Sequence, residues 1–297
     1  LTIYLGMLLQ ALPFLVLGVL ISSIILVFVP ATFFEDHFPK SPFLGMAYAI
    51  CAGFRLPVCD FASIPIFNSL IRKKLPVSAA VTFLCATPII NPLVMISTYF
   101  AFGNDFKVMA LRVGFGIVVS LLIGLTFLKT KTEAIVLNTT AVQIVCNCGI
   151  LEGSLSTQKP RTLKEKLGLV IANSQNEFFA IARYILIGCF LSALIQMYLP
   201  KSWFTSNSSN IWIGSLILMV FAFVLSLCSS SDAVVAKGLS SKFPLPATMS
   251  FMVFGPIMDI KNVILLSAQF KKQFILKLTL VAATITLILV PLTLSLV

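Results

Sequence analysis

Thiols and carboxylates stand together at two points of an otherwise apolar sequence. Cys59 directly precedes Asp60, and Cys228 stands four residues before Asp232. Thiolates are preferred ligands of soft metals, and a carboxyl group shielded from water can carry a proton. These two points predict a polar site in which Cys59 and Cys228 are candidate metal ligands and the two aspartates are candidate proton carriers.

Two proline motifs add further polar groups. Asn91 stands three residues after Pro88, and Asp259 stands three residues after Pro256. Because proline has no N–H, each motif leaves a backbone carbonyl available to a ligand. Together the four motifs predict a substrate-binding site lined by Cys59, Asp60, Asn91, Cys228, Ser229, Ser230, Asp232 and Asp259.

Three other cysteines are weaker candidates. Cys85 lies close to Pro88 and could join the two thiol ligands. Cys146 and Cys148 form a C-x-C pair that could bind a metal or act as a regulatory thiol pair, although such a pair needs further ligands to make a metal site. For each cysteine taken singly, packing as a small apolar side chain is the alternative.

The composition indicates a membrane protein. Hydrophobic residues make up 59% of the 297 positions and charged residues only 10%, whereas soluble domains carry roughly 25% charged residues. A helix crosses a bilayer with about 20 apolar residues. Segments of this kind are Leu5–Val29, Val77–Phe102, Val108–Leu128, Phe178–Leu199 and Phe274–Val297. We therefore predict an all-α, polytopic membrane protein.

The net charge of +11 does not indicate nucleic-acid binding. The basic residues collect in short loops and in one connector, as the positive-inside rule expects of a membrane protein. Charges inside the apolar segments are functional candidates by default. Besides the aspartates above, they are Arg55, Arg183, Lys237 and Lys261. As an alternative, Asp259 could form an internal ion pair with Lys261, and Asp60 could do the same with Arg55.

The elements that must hold the site occur twice in the chain. Alignment of the sequence with itself at offsets of 170 and 168 pairs glycines and prolines that chance seldom places together. The pairs include Gly18/Gly188, Pro30/Pro200, Pro76/Pro244 and Pro88/Pro256. We predict a first transmembrane repeat over residues 1–128, a cytoplasmic linker over 129–176 and a second repeat over 177–297.

Each repeat contains an interrupted segment whose two arms are too short to be two full spans. The arms are Phe43–Leu56 and Phe61–Arg72 in the first repeat, and Ile211–Leu227 and Ala233–Ser241 in the second. Each pair is either one broken spanning helix or a re-entrant hairpin. Broken helices would make the repeats parallel, and hairpins would make them inverted. The placement of lysine and arginine favours hairpins, because it leaves more basic residues on the cytoplasmic side.

At these motifs the sequence resembles the bacterial predicted-permease family (YraQ-like), which includes organoarsenical efflux permeases. The resembling stretches are Leu56–Pro65, Arg72–Pro92, Cys228–Asp232 and Phe254–Asn262. The resemblance implies a polytopic permease of the bacterial cytoplasmic membrane, with export of trivalent organoarsenicals in one branch. Phe61 and Ala62 stand where the family usually has a second Cys and a Gly, and Ser230 stands where an acidic residue is common. These departures weaken the case for an arsenical or metal substrate, but not the case for a permease.

The leading hypothesis is a secondary transporter, coupled to protons, that exports a small solute or ion. Soft metals and metalloid compounds are among the candidate substrates. The alternatives are a passive channel, and a membrane subunit that works with a partner protein or as a homo-oligomer. An enzyme fits poorly, because the single histidine, His37, leaves no zinc-protease motif and no Ser–His dyad. No nucleotide-binding loop is present, and no cofactor is expected.

Overall fold

The computed structural model describes residues 2–28, 41–55, 60–73, 75–130, 132, 135, 163–198, 210–240 and 242–295. Throughout these ranges the regular structure is helical. The helices are α1 (Thr2–Phe28), α2 (Pro42–Arg55), α3 (Asp60–Arg72), α4 (Val77–Ile90), α5 (Pro92–Ala101), α6 (Phe106–Thr126), α7 (Leu163–Tyr198), α8 (Ile211–Leu225), α9 (Ser229–Leu239), α10 (Leu245–Ile257), α11 (Ile260–Ser267) and α12 (Lys272–Ser295).

Four helical stretches in the described ranges are long and apolar enough to cross a bilayer core of about 30 Å. They are Val77–Ala101, Phe106–Thr126, Leu245–Ser267 and Lys272–Leu294. The prediction of an all-helical membrane protein is therefore confirmed. The predicted segments Leu5–Val29 and Phe178–Leu199 fall on α1 and α7.

The first of these spans is built from two helices, because the chain breaks at Asn91. Pro92 disfavours helical geometry in the residue before it, and Asn91 is extended with φ −59° and ψ 131°. Its side-chain oxygen then accepts a hydrogen bond from the Leu93 N–H at 2.9 Å and so caps α5. The break is therefore encoded locally by the Asn-Pro pair.

The span Leu245–Ser267 breaks at the corresponding place without a following proline. Met258 and Asp259 are both extended, and the Asp259 carboxylate accepts a hydrogen bond from the Asn262 N–H at 2.6 Å. An aspartate at this position is a strong N-cap. Here the cap, rather than a proline, starts the new helix.

Helix α6 runs antiparallel to α4 and α5 taken together. Gly124, near the end of α6, packs against Thr82, and Gly116 packs against Ile89. Arg112, nearer the start of α6, reaches Thr98 in α5. Because α6 contacts α5 near its own start and α4 further along its length, α4 and α5 are the two halves of a single span.

Helix α2 runs in the same direction as α4. Gly53, near the end of α2, lies against Thr87 near the end of α4. Met46, near the start of α2, meets Gly124 at a point where Gly124 also touches Ser78. Because α2 and α4 are parallel and similar in length, the chain must return along α3 before α4 begins.

The same relation holds between α8 and α10. Gly214, near the start of α8, lies against Ala247 near the start of α10. Gly255, near the end of α10, lies against Ala222 near the end of α8. Helix α9 therefore carries the chain back to the start of α10.

Helices α4 and α10 form the centre of the protein. Every residue of α4 is buried, as is every residue of α10 after Leu245. By contrast, α6 and α12 each keep an exposed apolar face. The irregular ends of the central helices, at Asn91 and at Met258–Asp259, are therefore buried in protein. Irregular backbone at membrane depth is tolerated only where it is shielded from the hydrocarbon in this way.

The interrupted segments lie close to their predicted positions. Their arms were expected to start at Phe43, Phe61, Ile211 and Ala233, and the helices start at Pro42, Asp60, Ile211 and Ser229. Helix α9 begins earlier than expected because the serine run forms its first turn and Cys228 takes the extended cap position. Helix α7 begins at Leu163, inside the predicted linker, while residues 136–162 lie outside the described ranges.

Candidate functional site

The α8–α9 connection is bonded directly to the α10–α11 break. Ser226 ends α8 in the left-handed conformation, with φ 48°, which non-glycine residues seldom adopt. Its hydroxyl donates to the Phe223 carbonyl and accepts from the Ile260 N–H, both at 3.1 Å. This geometry places the start of α9 beside Asp259.

Asp259 and Lys261 form a buried ion pair at this junction. Only 1% of Asp259 and 4% of Lys261 is exposed, and the Lys261 Nζ lies 3.7 Å from the Asp259 Oδ2. The other carboxylate oxygen, Oδ1, caps α11 through Asn262. The ion-pair alternative is therefore what the structure shows for Asp259.

Asp232 brings a second carboxylate to the same junction. It lies in the first turn of α9, is 2% exposed, and packs its Oδ2 against Gly255 of α10. A Cβ at Gly255 would lie only 3.2 Å from that oxygen. Glycine at position 255 therefore lets a carboxylate approach the central helix closely.

Arg112 connects the two halves of the chain at the start of α9. The side chain is 1% exposed, although it belongs to a membrane span. Its Nη1 donates to the Thr98 hydroxyl at 2.7 Å, and its Nη2 donates to the Ser229 carbonyl at 2.9 Å. The guanidinium thus joins α5, α6 and α9 in one hydrogen-bonded network.

The predicted site residues of the first half fall on the first pair of breaks. Asn91 is buried and caps α5. Asp60 begins α3, but its side chain lies outside the described part of the structure, as do Cys59 and the other residues of 56–59. Gly53, in the last turn of α2, contacts Thr87, so the described end of α2 lies close to the α4–α5 break.

The second-half residues lie at the start of α9 and at the α10–α11 break. Cys228 is the buried cap residue of α9, and Ser229 supplies the carbonyl that Arg112 binds. Asp232 and Asp259 both belong to the junction described above. The Ser230 side chain lies outside the described part.

The metal-ligand predictions stay predictions. Cys85 is buried in α4 and Cys228 at the start of α9, whereas Cys59, Cys146 and Cys148 lie outside the described ranges. Among the described residues, no three His, Cys, Asp or Glu side chains lie close enough together to hold a metal ion. The thiol site would therefore need Cys59, or ligands supplied by the substrate.

Two functional candidates escaped sequence reasoning. Arg112 lies inside the predicted span Val108–Leu128, and the presence of an arginine in that span was the signal that could have identified it. Asn262 is uncharged, and only the fold shows that it is buried. By contrast, Arg55, Arg183 and Lys237 are exposed, and the Lys237 ammonium lies 5.4 Å from the centre of the Phe102 ring.

A wider groove of about 600 Å³ lies away from this chemistry, between α6 and α12. Lys107 and Leu111 line one side of it, and Leu289 and Thr293 line the other. Its walls are almost wholly apolar, as expected of a surface that faces acyl chains. The candidate site is instead the buried polar centre, where two carboxylates and two cations lie beside helix breaks.

Comparison with known proteins assigns the family. The chain matches the model of a family described as predicted permease over residues 1–293. It is 36% identical over 274 residues to the UPF0718 protein YcgR of Bacillus subtilis, which covers 92% of this chain and 90% of that protein. It is also 32% identical over 277 residues to a Streptococcus mutans protein described as a candidate subunit of a two-component membrane permease complex, covering 93% of this chain and 89% of that protein. No solved structure matches the chain. On the full-length match and these two relatives, the chain belongs to the predicted permease family.

Proposed function

We propose that the protein is a secondary transporter that exports a small solute or ion from the bacterial cell in exchange for protons. The observation that carries the proposal is the buried polar centre. Asp232 and Asp259 lie in the buried core at the starts of α9 and α11, and Arg112 reaches the start of α9 from the continuous span α6. Many transporters build a substrate site at the ends of interrupted helices. Placing an ionisable group inside a membrane costs free energy. A role in binding or proton transfer is therefore the default explanation for its presence there.

We further infer that the two halves are inverted repeats, each with a re-entrant hairpin. Helices α2–α6 and α8–α12 follow one another in the same order, and α2 parallels α4 as α8 parallels α10. A first arm that parallels the following span supports a hairpin, since a broken span would leave the two antiparallel.

The relative directions of α6 and α12 support inversion. Lys107, near the start of α6, shares a groove with Thr293 near the end of α12. Just past the other end of α6, the Phe127 ring lies edge-on to Phe274 near the start of α12, with centroids 5.5 Å apart. Helices in equivalent positions thus run in opposite directions, as the two halves of an inverted pair do.

In this account the eight predicted lining residues form one central site. Asp232 and Asp259 are the candidate proton carriers, while Asn91, Ser229 and Ser230 offer neutral ligands to the solute. Cys59 and Cys228, with Asp60 beside the first, would add thiol ligands for a soft metal or metalloid compound. Alternating access would move one half against the other around this centre.

A second candidate role is that of a subunit in a permease complex. It is favoured by the Streptococcus mutans relative, which is described as a candidate subunit of a two-component complex. The same central site would then serve a transporter completed by a partner protein. A partner that remains bound through purification in mild detergent, and without which transport stops, would support this role.

The soft-ligand part of the proposal is tested by thermal stability in detergent. Trivalent arsenicals, zinc and copper should each be compared with simple oxyanions, since a ligand bound to the native state raises Tm. We expect a soft ligand at 100 times its Kd to add about 2.7 kcal/mol to the apparent stability. The gain should vanish in the double variant Cys59→Ala/Cys228→Ala.

The exposed Cys51 provides the matched control. Cys51→Ala should keep the full shift, because this residue lies outside the proposed site. A shift that survives in the double variant, or none with any soft ligand, would remove the thiol site and direct the search to oxygen-liganded or organic solutes.

A further inference from the structure

A small cavity lies where the two halves of the chain touch. It is bounded by Ser63 in α3, Leu84 in α4, Pro256 and Ile257 at the end of α10, and Asn262 in α11. Its volume is about 10 Å³, roughly the space that one water-sized sphere occupies. The cavity therefore suits one small guest and excludes an organic solute.

Asn262 presents an unused acceptor at this cavity. The side chain is 5% exposed, and its Oδ1 has no hydrogen-bond partner. The backbone N–H of the same residue is occupied by the Asp259 cap. Leaving a buried amide oxygen without a partner destabilises the fold, so a guest that binds this oxygen would recover that loss.

The surrounding backbone adds acceptors rather than donors. The Leu84 carbonyl receives no intrahelical hydrogen bond, because the residue four positions later is Pro88, which has no N–H. Pro256 and Ile257 belong to the last turn of α10, where helical carbonyls lack partners within the helix. The cavity thus lies at the C-terminal, negative end of α10.

We propose that this cavity binds a sodium ion. Hard cations take oxygen ligands, and the cavity offers the Asn262 amide oxygen, backbone carbonyls and the Ser63 hydroxyl, which can also accept. A divalent ion is disfavoured because no carboxylate is found among the described residues that line the cavity. Asp259, the nearest carboxylate along the chain, is already paired with Lys261.

The bound ion would connect the two halves of the protein. Ser63 and Leu84 belong to the first half, whereas Pro256, Ile257 and Asn262 belong to the second. A sodium ion here would stabilise the contact between α3 and the α10–α11 junction. Binding itself is independent of transport, but any role in coupling the ion to solute movement rests on the proposed function.

The test is the Tm of the purified protein in sodium chloride and in choline chloride at equal ionic strength. For a Kd near a tenth of the sodium concentration, Tm should rise by about 2–3 °C in sodium. Asn262→Leu keeps the branched outline of the side chain but puts methyl groups in place of the amide oxygen and nitrogen. It removes the acceptor and should therefore abolish the rise. Asn176→Leu, on an exposed position of α7, should retain it.

A second variant covers the case in which Asn262→Leu does not fold. Pro88→Ala restores an N–H that the Leu84 carbonyl can accept, and should reduce the sodium-dependent rise. Equal Tm in the two salts for the wild type, or a rise that survives in Asn262→Leu, would overturn the proposal and leave the cavity to a water molecule. A protein that binds sodium in this test but moves no solute would contradict the proposed function and leave the sodium site standing.

Discussion

Arg112→Leu should destabilise the protein strongly and abolish transport. The substitution removes two charge-assisted hydrogen bonds, to the Thr98 hydroxyl and to the Ser229 carbonyl. Each such bond contributes about 1.5–3 kcal/mol, so the expected loss is about 3–6 kcal/mol. The corresponding fall in Tm is on the order of 10 °C.

Two comparisons make this result specific to the Arg112 network. Arg112→Lys keeps the positive charge, but its single ammonium cannot reproduce the forked geometry, so it should restore only part of the stability. Arg183→Leu removes an exposed arginine from α7 and should change Tm little. A wild-type Tm in Arg112→Leu would show that the guanidinium does not hold α9 to α5 and α6.

The Asp259–Lys261 pair should show strong coupling in a double-mutant cycle. Lys261→Met leaves a buried carboxylate without its counter-charge, which costs about 3–5 kcal/mol. Asp259→Asn leaves the lysine uncompensated, although asparagine can still cap α11. The double variant removes both charges and should recover much of the loss, since buried ion pairs are often replaceable by neutral groups.

A transport assay separates the role of Asp259 from that of Lys261. If Asp259 carries the proton, Asp259→Asn should stop proton-coupled transport even in the double variant, where stability is largely restored. Lys272→Met, which removes an exposed lysine at the start of α12, is the control and should change neither property. Additive stability losses would mean that the two side chains do not interact, and proton-coupled transport by the double variant would exclude Asp259 as the carrier.

Local sequence chemistry accounts for the features that could be predicted. The excess of apolar residues predicted a membrane protein. The Asn91-Pro92 pair interrupts the helix at this position whatever packs around it. The break at Asp259 is harder to predict, because no proline follows it. Pro256, three residues earlier, and the alignment of Asp259 with Asn91 pointed to it, and the cap on Asn262 supplies the physical cause.

The remaining features depend on contacts between distant parts of the chain. Arg112 binds a carbonyl 117 residues away, and no pattern around either residue encodes that pairing. The direction of α2 relative to α4 likewise depends on the packing of Gly53 against Thr87. Asn262 could be recognised as an unsatisfied acceptor only after its surroundings were known, because the same residue in a loop would be solvated.

The central claim is that two oppositely oriented halves enclose a polar site at mid-membrane, and cysteine labelling in cells tests their orientation most directly. In a cysteine-free background, Asn104→Cys marks the turn after α5, and Lys272→Cys marks the equivalent turn before α12; both positions are exposed. Inverted repeats predict that a membrane-impermeant maleimide labels Asn104→Cys in intact cells, but labels Lys272→Cys only after the membrane is opened. Labelling of both positions from the same side would contradict the inverted arrangement, and with it the account of the site as the meeting point of two opposed hairpins.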